Sequence, residues 1–239
     1  MINLTDFLKT KRYPGRFIVI GMDGDFSVAL YGATGRSPSS LARHFVQKGT
    51  EVFMVAADDT VLREGNPELL EYPAVRIFEN GIVVANGRQI EKLKILEDRA
   101  ADSQLSTALA EEAYEPDEYK TPRITGCIIE GHDTTSSALH IARATSSDTE
   151  RMAWEVPLGD GQGFFISTYT GEDIKPTPSF KGAPVSVGLQ FGSADVAVRS
   201  VFDALVPSEN DLDYRVGVVA VYRREGKTDL KIKNRLGNT

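Results

Sequence analysis

Phe17-Ile18-Val19-Ile20-Gly21-Met22-Asp23-Gly24-Asp25-Phe26-Ser27-Val28-Ala29-Leu30-Tyr31-Gly32 is the stretch that decides the fold class. Its β-branched and aromatic residues fall into two short runs, 17–21 and 26–32, parted by Met22-Asp23-Gly24-Asp25. That punctuation reads as an antiparallel hairpin. The pattern recurs where 74–78 and 82–86 flank Glu79-Asn80-Gly81, because Asn-Gly supplies the positive φ angles of a tight turn. Further strand-like runs cover 52–57, 124–130, 137–144, 163–168, 185–191 and 216–222.

Two segments carry helical spacing instead. In 101–114, Leu105, Leu109 and Ala113 fall about one turn apart, and in 193–205, Val198, Val201, Phe202 and Leu205 share one side behind the N-cap candidate Ser193. Strands followed by a helix, twice over, predict an α+β layered fold with helices over an antiparallel sheet or a pair of sheets. Thr145-Ser146-Ser147-Asp148 is short enough for a loop, and no linker or repeat intervenes, so residues 1–239 read as one domain.

A hydrophobic fraction of 41% with 26% charged residues is that of an ordinary globular chain, and no apolar run approaches the roughly 18 residues needed to span a bilayer. The first twelve residues carry Lys9, Lys11 and Arg12 without an apolar signal core, which predicts a cytoplasmic protein. Cys127 is the only cysteine, so intrachain disulfides and paired-cysteine zinc sites are excluded, and its apolar run marks it as a small buried hydrophobe. A net charge of −7 argues against general nucleic-acid binding. Any phosphate must therefore be met by a local cluster of cations. The basic C-terminal stretch, Arg223, Arg224, Lys227, Lys231, Lys233 and Arg235, reads as a solvated edge strand and tail.

Three segments hold candidate chemistry. In Gly35-Arg36-Ser37-Pro38-Ser39-Ser40-Leu41-Ala42-Arg43, Ser37 before Pro38 is an N-cap with proline at the first helical position, and Arg36 and Arg43 supply charge for a phosphate or carboxylate. A capped surface turn with two solvated arginines is the competing reading. Tyr72 opens a strand, and the hairpin returns at Asn86-Gly87-Arg88-Gln89, a phenol and amides suited to a planar heterocycle. Tyr72 capping the core and Asn86-Gly87 serving only as a turn fit equally. Tyr114-Glu115-Pro116-Asp117-Glu118-Tyr119-Lys120-Thr121-Pro122-Arg123 brings carboxylates beside cations, an arrangement suited to proton transfer or to a helix-ending loop. Nucleophile-elbow, Walker and His-Glu-x-x-His signatures are missing. His132 and His140 are separated by a predicted turn and strand, which disfavours a metal pair, and His44 reads as a surface or partly buried helix residue.

Taken in order and spacing, Tyr13-Pro14-Gly15-Arg16-Phe17-Ile18-Val19-Ile20-Gly21, the 35–43 segment, 72–77, Asn86-Gly87-Arg88-Gln89, Tyr114-Glu115 through Thr121-Pro122-Arg123, Thr168-Tyr169-Thr170-Gly171 and Pro178-Ser179-Phe180 resemble the archaeal-type IMP cyclohydrolase family, including its bacterial branch. The likeness is clearest over 13–191. The resemblance implies a four-layer αββα sandwich similar to N-terminal-nucleophile hydrolases, with mainly antiparallel sheets. It also implies ring closure of 5-formamidoimidazole-4-carboxamide ribonucleotide to IMP and water in purine biosynthesis, without metal or cofactor, by a cytoplasmic homo-oligomer. By the same resemblance, Tyr72, Glu115 and Arg43 are the catalytic candidates, and Arg36, Ser37, Asn86, Gln89 and Arg123 the substrate-binding ones. Ala42 and Arg88 depart from the family pattern, which commonly has asparagine and an acid there, and a shifted pairing of 35–43 would set Leu41 at a family arginine. Two alternatives stand beside this reading: a non-catalytic purine-nucleotide-binding relative, and an amidohydrolase acting on a related purine precursor.

Overall fold

The computed structural model describes every residue except 65, 96–98, 132–133, 210 and 238–239. In chain order its strands are β1 (Ile2–Asn3), β2 (Arg16–Asp23), β3 (Phe26–Thr34), β4 (Arg43–Lys48), β5 (Glu51–Ala56), β6 (Tyr72–Phe78), β7 (Gly81–Ala85), β8 (Arg123–Glu130), β9 (Thr135–Ala144), β10 (Thr149–Glu155), β11 (Gln162–Ser167), β12 (Val185–Gly188), β13 (Arg215–Arg224) and β14 (Lys227–Asn234). The helices are few and short: α1 (Leu4–Lys9), α2 (Pro38–Leu41), α3 (Asp59–Glu64), α4 (Pro67–Leu70), α5 (Ala101–Ala108) and α6 (Ala194–Ala204). Two seven-stranded sheets result, in the orders β1-β12-β11-β2-β3-β13-β14 and β10-β9-β8-β7-β6-β5-β4. The short β1–β12 pair is parallel, and the remaining ladders are antiparallel.

The opening hairpin lies at the centre of the first sheet, where Phe17, Ile18, Val19 and Ile20 are all fully buried. A strand with both faces covered needs apolar residues at every position, not at alternate ones. Ile18 and Ile20 face β8 of the second sheet, whereas Phe17 stacks on Phe165, which also meets Phe7 of α1. The second sheet divides its side chains the same way. Ile82, Val84 and Ile128 join the core shared with the first sheet, while Val83, Ala85, Cys127 and Ile129 form a separate cluster with Ala101 and Leu105 of α5. Each buried Val, Ile, Leu or Phe contributes roughly 1.5–3 kcal/mol. On the first sheet, α6 buries Ala194, Ala197, Val198, Val201 and Phe202 against β13 and β14, and Ser193 caps it by accepting from the Val196 amide.

Several expectations are corrected. The helix predicted over 101–114 ends at Ala108, because the Glu112 carbonyl accepts from Arg151 and the Glu112 carboxylate pairs with Lys92 and Arg123. The second hairpin forms, but its turn is Glu79-Asn80 without positive φ. Gly81 already belongs to β7, where a side chain would collide with the Ile128 carbonyl. His44 sits in β4, not on a helix, because the helical turn begun at Pro38 is only four residues long. Strands β4 and β10 go beyond the expected set, and in β10 the run Thr149-Glu150-Arg151-Met152-Ala153-Trp154-Glu155 lacks consecutive β-branched residues. The strand expected over 185–191 stops at Gly188. Of the basic C-terminal stretch, Lys227, Lys231 and Lys233 lie on the edge strand β14, with Lys231 on Asp229 and Lys233 on Asp203, whereas Arg223 and Arg224 end β13 and Arg223 is buried. Cys127 is buried, and burial pushes its thiol up to about 12. His132 lies outside the described residues. Among those described, no helix is long and apolar enough to cross a membrane.

Candidate active site

Where β2 begins and β3 ends, the loops beyond the strand ends surround a cleft of about 620 Å³. Each wall comes from a different segment. Tyr13 and Arg16 precede and open β2, Arg36 to Ser40 carry α2, Arg43 opens β4, Leu69 and Leu70 close α4, Glu115 to Thr121 lead into β8, and Tyr169 and Lys175 follow β11. Four cations (Arg16, Arg36, Arg43 and Lys175) and three carboxylates (Glu115, Asp117 and Glu118) line it, a local positive surplus in a chain of net charge −7.

Glu115 is buried at 4% exposure and forms an ion pair with Arg16. The same oxygen, Oε1, accepts from Asn86 Nδ2 at 3.1 Å. Among the described residues no donor reaches the second oxygen, Oε2, so one carboxylate oxygen is fixed and the other is left for a ligand. Burial would weaken the Arg16 cation, but Glu115 beside it holds the guanidinium well above its ordinary value. The turn that delivers Arg16 depends on Gly15, whose φ of +73° suits glycine and whose side-chain space is filled by Thr168 and Tyr169. The Glu115 backbone is tied to the loop end by its amide, which donates to the Thr121 carbonyl at 2.7 Å.

Behind Glu115 stands a buried amide network. Asn86 Oδ1 accepts from the Ile124 amide at 2.7 Å and from Gln89 Nε2 at 3.1 Å, and Gln89 Oε1 accepts from Arg123 Nη1 at 3.0 Å. Asn86, Gln89 and Arg123, expected to meet substrate directly, are absent from the cleft wall and meet one another instead. The hairpin return that carries them packs under the 115–123 loop, so their amides are used up inside the protein.

Arg43 lines the cleft at 2% exposure, with Nε on the Ser40 carbonyl at 3.0 Å and Nη1 on that of Leu69 at 3.4 Å. No carboxylate pairs with it among the described residues. Ser37 caps α2 as read, accepting from the Ser40 amide, with Ser40 completing a capping box. Arg36 is committed to the 173–177 segment, donating to Asp173 Oδ1 at 3.1 Å, the Ile174 carbonyl at 3.2 Å and Thr177 Oγ1 at 2.6 Å, with its guanidinium over the Tyr13 ring. Tyr13 in turn stacks on Tyr169, their centroids 5.6 Å apart. Burial pushes the Tyr169 hydroxyl up to about 12 against the pull of Arg16 and of its hydrogen bond to Thr121. Leu41 lends its carbonyl to Arg235 and is absent from the wall, so in this geometry Arg43, not Leu41, presents to the cleft.

Tyr72 opens β6 as expected but is buried at 3% exposure, its hydroxyl 2.9 Å from that of Tyr31. Like Asn86, Gln89 and Arg123, it is absent from the cleft wall, but it is close enough to act on the charge of Arg16, which lines the cleft. Arg16, Tyr13, Tyr31, Tyr169 and Lys175 were not singled out as site residues from the sequence. One signal was available: Arg16 is a charge at the head of the apolar run 17–20, where a solvated position is not expected.

The arrangement offers a fixed carboxylate with one open oxygen, an arginine without a carboxylate partner, an aromatic wall and a buried phenol pair near Arg16. Such a set fits an anionic, planar ligand and a proton transfer. Residues 13–227 match the family described as "IMP cyclohydrolase-like protein". Among curated relatives, the IMP cyclohydrolase of Methanothrix thermoacetophila is 27% identical over 93% of this chain and 98% of its own. That of Thermococcus kodakarensis is 32% identical over 87% of this chain and 92% of its own, and that of Halobacterium salinarum is 30% identical over 80% and 85%. The match extends past residue 191.

Proposed function

This chain belongs to the IMP cyclohydrolase-like family, and from that premise we propose how its cleft closes the second purine ring. In the reaction, the carboxamide nitrogen of the formamido ribonucleotide attacks the formyl carbon of the same molecule. One proton passes from the carboxamide nitrogen to the formyl oxygen. The resulting hydroxyl then leaves as water with the proton of the formamido nitrogen. Because both reacting groups belong to one substrate, the protein has to rotate them together, move these protons and stabilise the oxyanion formed between.

Glu115 is the proton-handling residue. The observation that carries this reading is its division of labour: Oε1 is fixed by Arg16 and Asn86, while Oε2 is open beside the cleft. Asn86, Gln89 and Arg123 act through it as positioning residues, in place of direct substrate contacts. Arg43, with carbonyl partners only, supplies charge to the oxyanion. Tyr72 donates to the formyl oxygen from below. Arg36 and Ser37 hold the phosphate side of the cleft, where Lys175 adds a further charge. The chemistry needs neither a metal nor a redox cofactor.

The packing of α6 on β13 and β14 and of α5 on β8 to β10 supports reading the two sheets as a single-domain, four-layer αββα sandwich similar to N-terminal-nucleophile hydrolases. A cytoplasmic homo-oligomer is part of the same proposal. The deciding experiment mixes metal-stripped protein with the formamido nucleotide and follows IMP by ultraviolet absorbance against the uncatalysed background. Ammonia release would mark an amidohydrolase, and tight IMP binding without turnover a non-catalytic relative.

A further inference from the structure

Tyr31 of β3 and Tyr72 of β6 come from different sheets, and their hydroxyls meet at 2.9 Å. Tyr31 is completely buried, edge-on to Phe45, and has no other hydrogen-bond partner among the described residues. Burial, followed by the neighbouring Tyr72, holds the Tyr31 hydroxyl well above its ordinary value, so it keeps its proton. The charged groups bearing on it are Arg16 and Arg43.

Two hydroxyls carry two protons, and the single hydrogen bond between them uses one. If Tyr72 were the donor, the proton of Tyr31 would be stranded in the apolar core, at the full cost of a desolvated, unmade bond. If Tyr31 is the donor, the spare proton belongs to Tyr72, which retains some exposure and lies two residues beyond Leu70 of the cleft wall. We propose that Tyr31 is a positioning residue: its hydroxyl donates to Tyr72 Oη and so turns the Tyr72 proton towards the substrate's formyl oxygen. A phenol that accepts one hydrogen bond is polarised into a better donor of the next. This inference rests on the assignment of Tyr72 given above.

The test is a double-mutant cycle on the full chain, comparing Tyr31→Phe, Tyr72→Phe and the double variant in the ring-closure assay, with thermal melting to verify folding. Tyr31→Phe keeps the ring against Phe45, and kcat should fall roughly tenfold while KM stays within about twofold, as for a lost transition-state hydrogen bond. The double variant should be no slower than Tyr72→Phe alone. Tyr72→Phe at the wild-type rate would overturn the Tyr72 assignment, and this inference with it. A slow Tyr72→Phe beside a Tyr31→Phe of wild-type rate, or losses that multiply in the double variant, would overturn the inference alone. Should Tyr31→Phe fail to fold, 3-fluorotyrosine at position 31 decides the matter. As a stronger donor it should raise kcat by roughly twofold, and an unchanged kcat would count against the proposal.

Discussion

Two buried arginines stand at opposite ends of the first sheet, each paired with a glutamate. Arg223, near the end of β13, pairs with Glu130 at 2.9 Å and donates to the carbonyls of Phe78 and Glu79 and to Thr228. Arg16, at the start of β2, pairs with Glu115, and the Nε atoms of both arginines lack a hydrogen-bond partner among the described residues. The first cation is surrounded by acceptors and pins the β6–β7 turn to the edge of the other sheet. The second spends its charge on one oxygen of a carboxylate whose other oxygen is open. A buried ion pair is therefore not itself a sign of function; what separates these two is that the Arg223 guanidinium is also tied to two carbonyls and a hydroxyl, whereas Arg16 and Glu115 both line the cleft.

The comparison can be broken most sharply at Glu115. Glu115→Gln should lower kcat about a thousandfold while product binding changes little, measured by steady-state kinetics and IMP titration. Equal losses in both would make Glu115 a binding residue and erase the distinction between the two ends. At the other end, Arg223→Met should leave kcat unchanged at a permissive temperature but cost about 3 kcal/mol of stability in denaturant unfolding, because Glu130 loses its cation. Loss of activity in folded Arg223→Met protein would mean that the far end also serves the reaction.

His140 of β9 supplies a test away from both arginines. Burial first, then the charge of Arg151, lowers its pKa to about 4. Above pH 6.5 the imidazole is neutral folded and unfolded, so it contributes no slope. As pH falls towards 4 the unfolded chain takes up the proton first, and stability should decline by up to about 3 kcal/mol before levelling off. Replacing His140 with Phe should flatten that part of the stability–pH curve. The smallest effect is expected at Arg36, where Arg36→Ala should release the 173–177 segment and raise KM roughly tenfold, with kcat little changed.

The hairpins around Gly24 and Asn80, the amphipathic spacing of α6 and its Ser193 cap were legible because each depends on residues a few positions apart. So was the capped turn at Ser37. The end of α5 was not legible: Leu109-Ala110-Glu111-Glu112 is good helical sequence, and only the distant Arg123 and Arg151 draw Glu112 out of the helix. For the same reason the sequence did not show that Asn86 and Gln89 have Glu115, Ile124 and Arg123 as partners.

By itself, the sequence determined that the chain builds antiparallel strands with two covering helices, and that arginines, a phenol with amides, and carboxylates beside cations fall in three segments. Local backbone preference and the two-residue period of a strand carry that information. Only the tertiary structure decided which strand ends meet. The contact of Arg16 with Glu115 spans 99 positions and that of Tyr31 with Tyr72 spans 41. Such pairs are set by sheet order and by the stacking of one sheet on the other, which no local run of residues encodes.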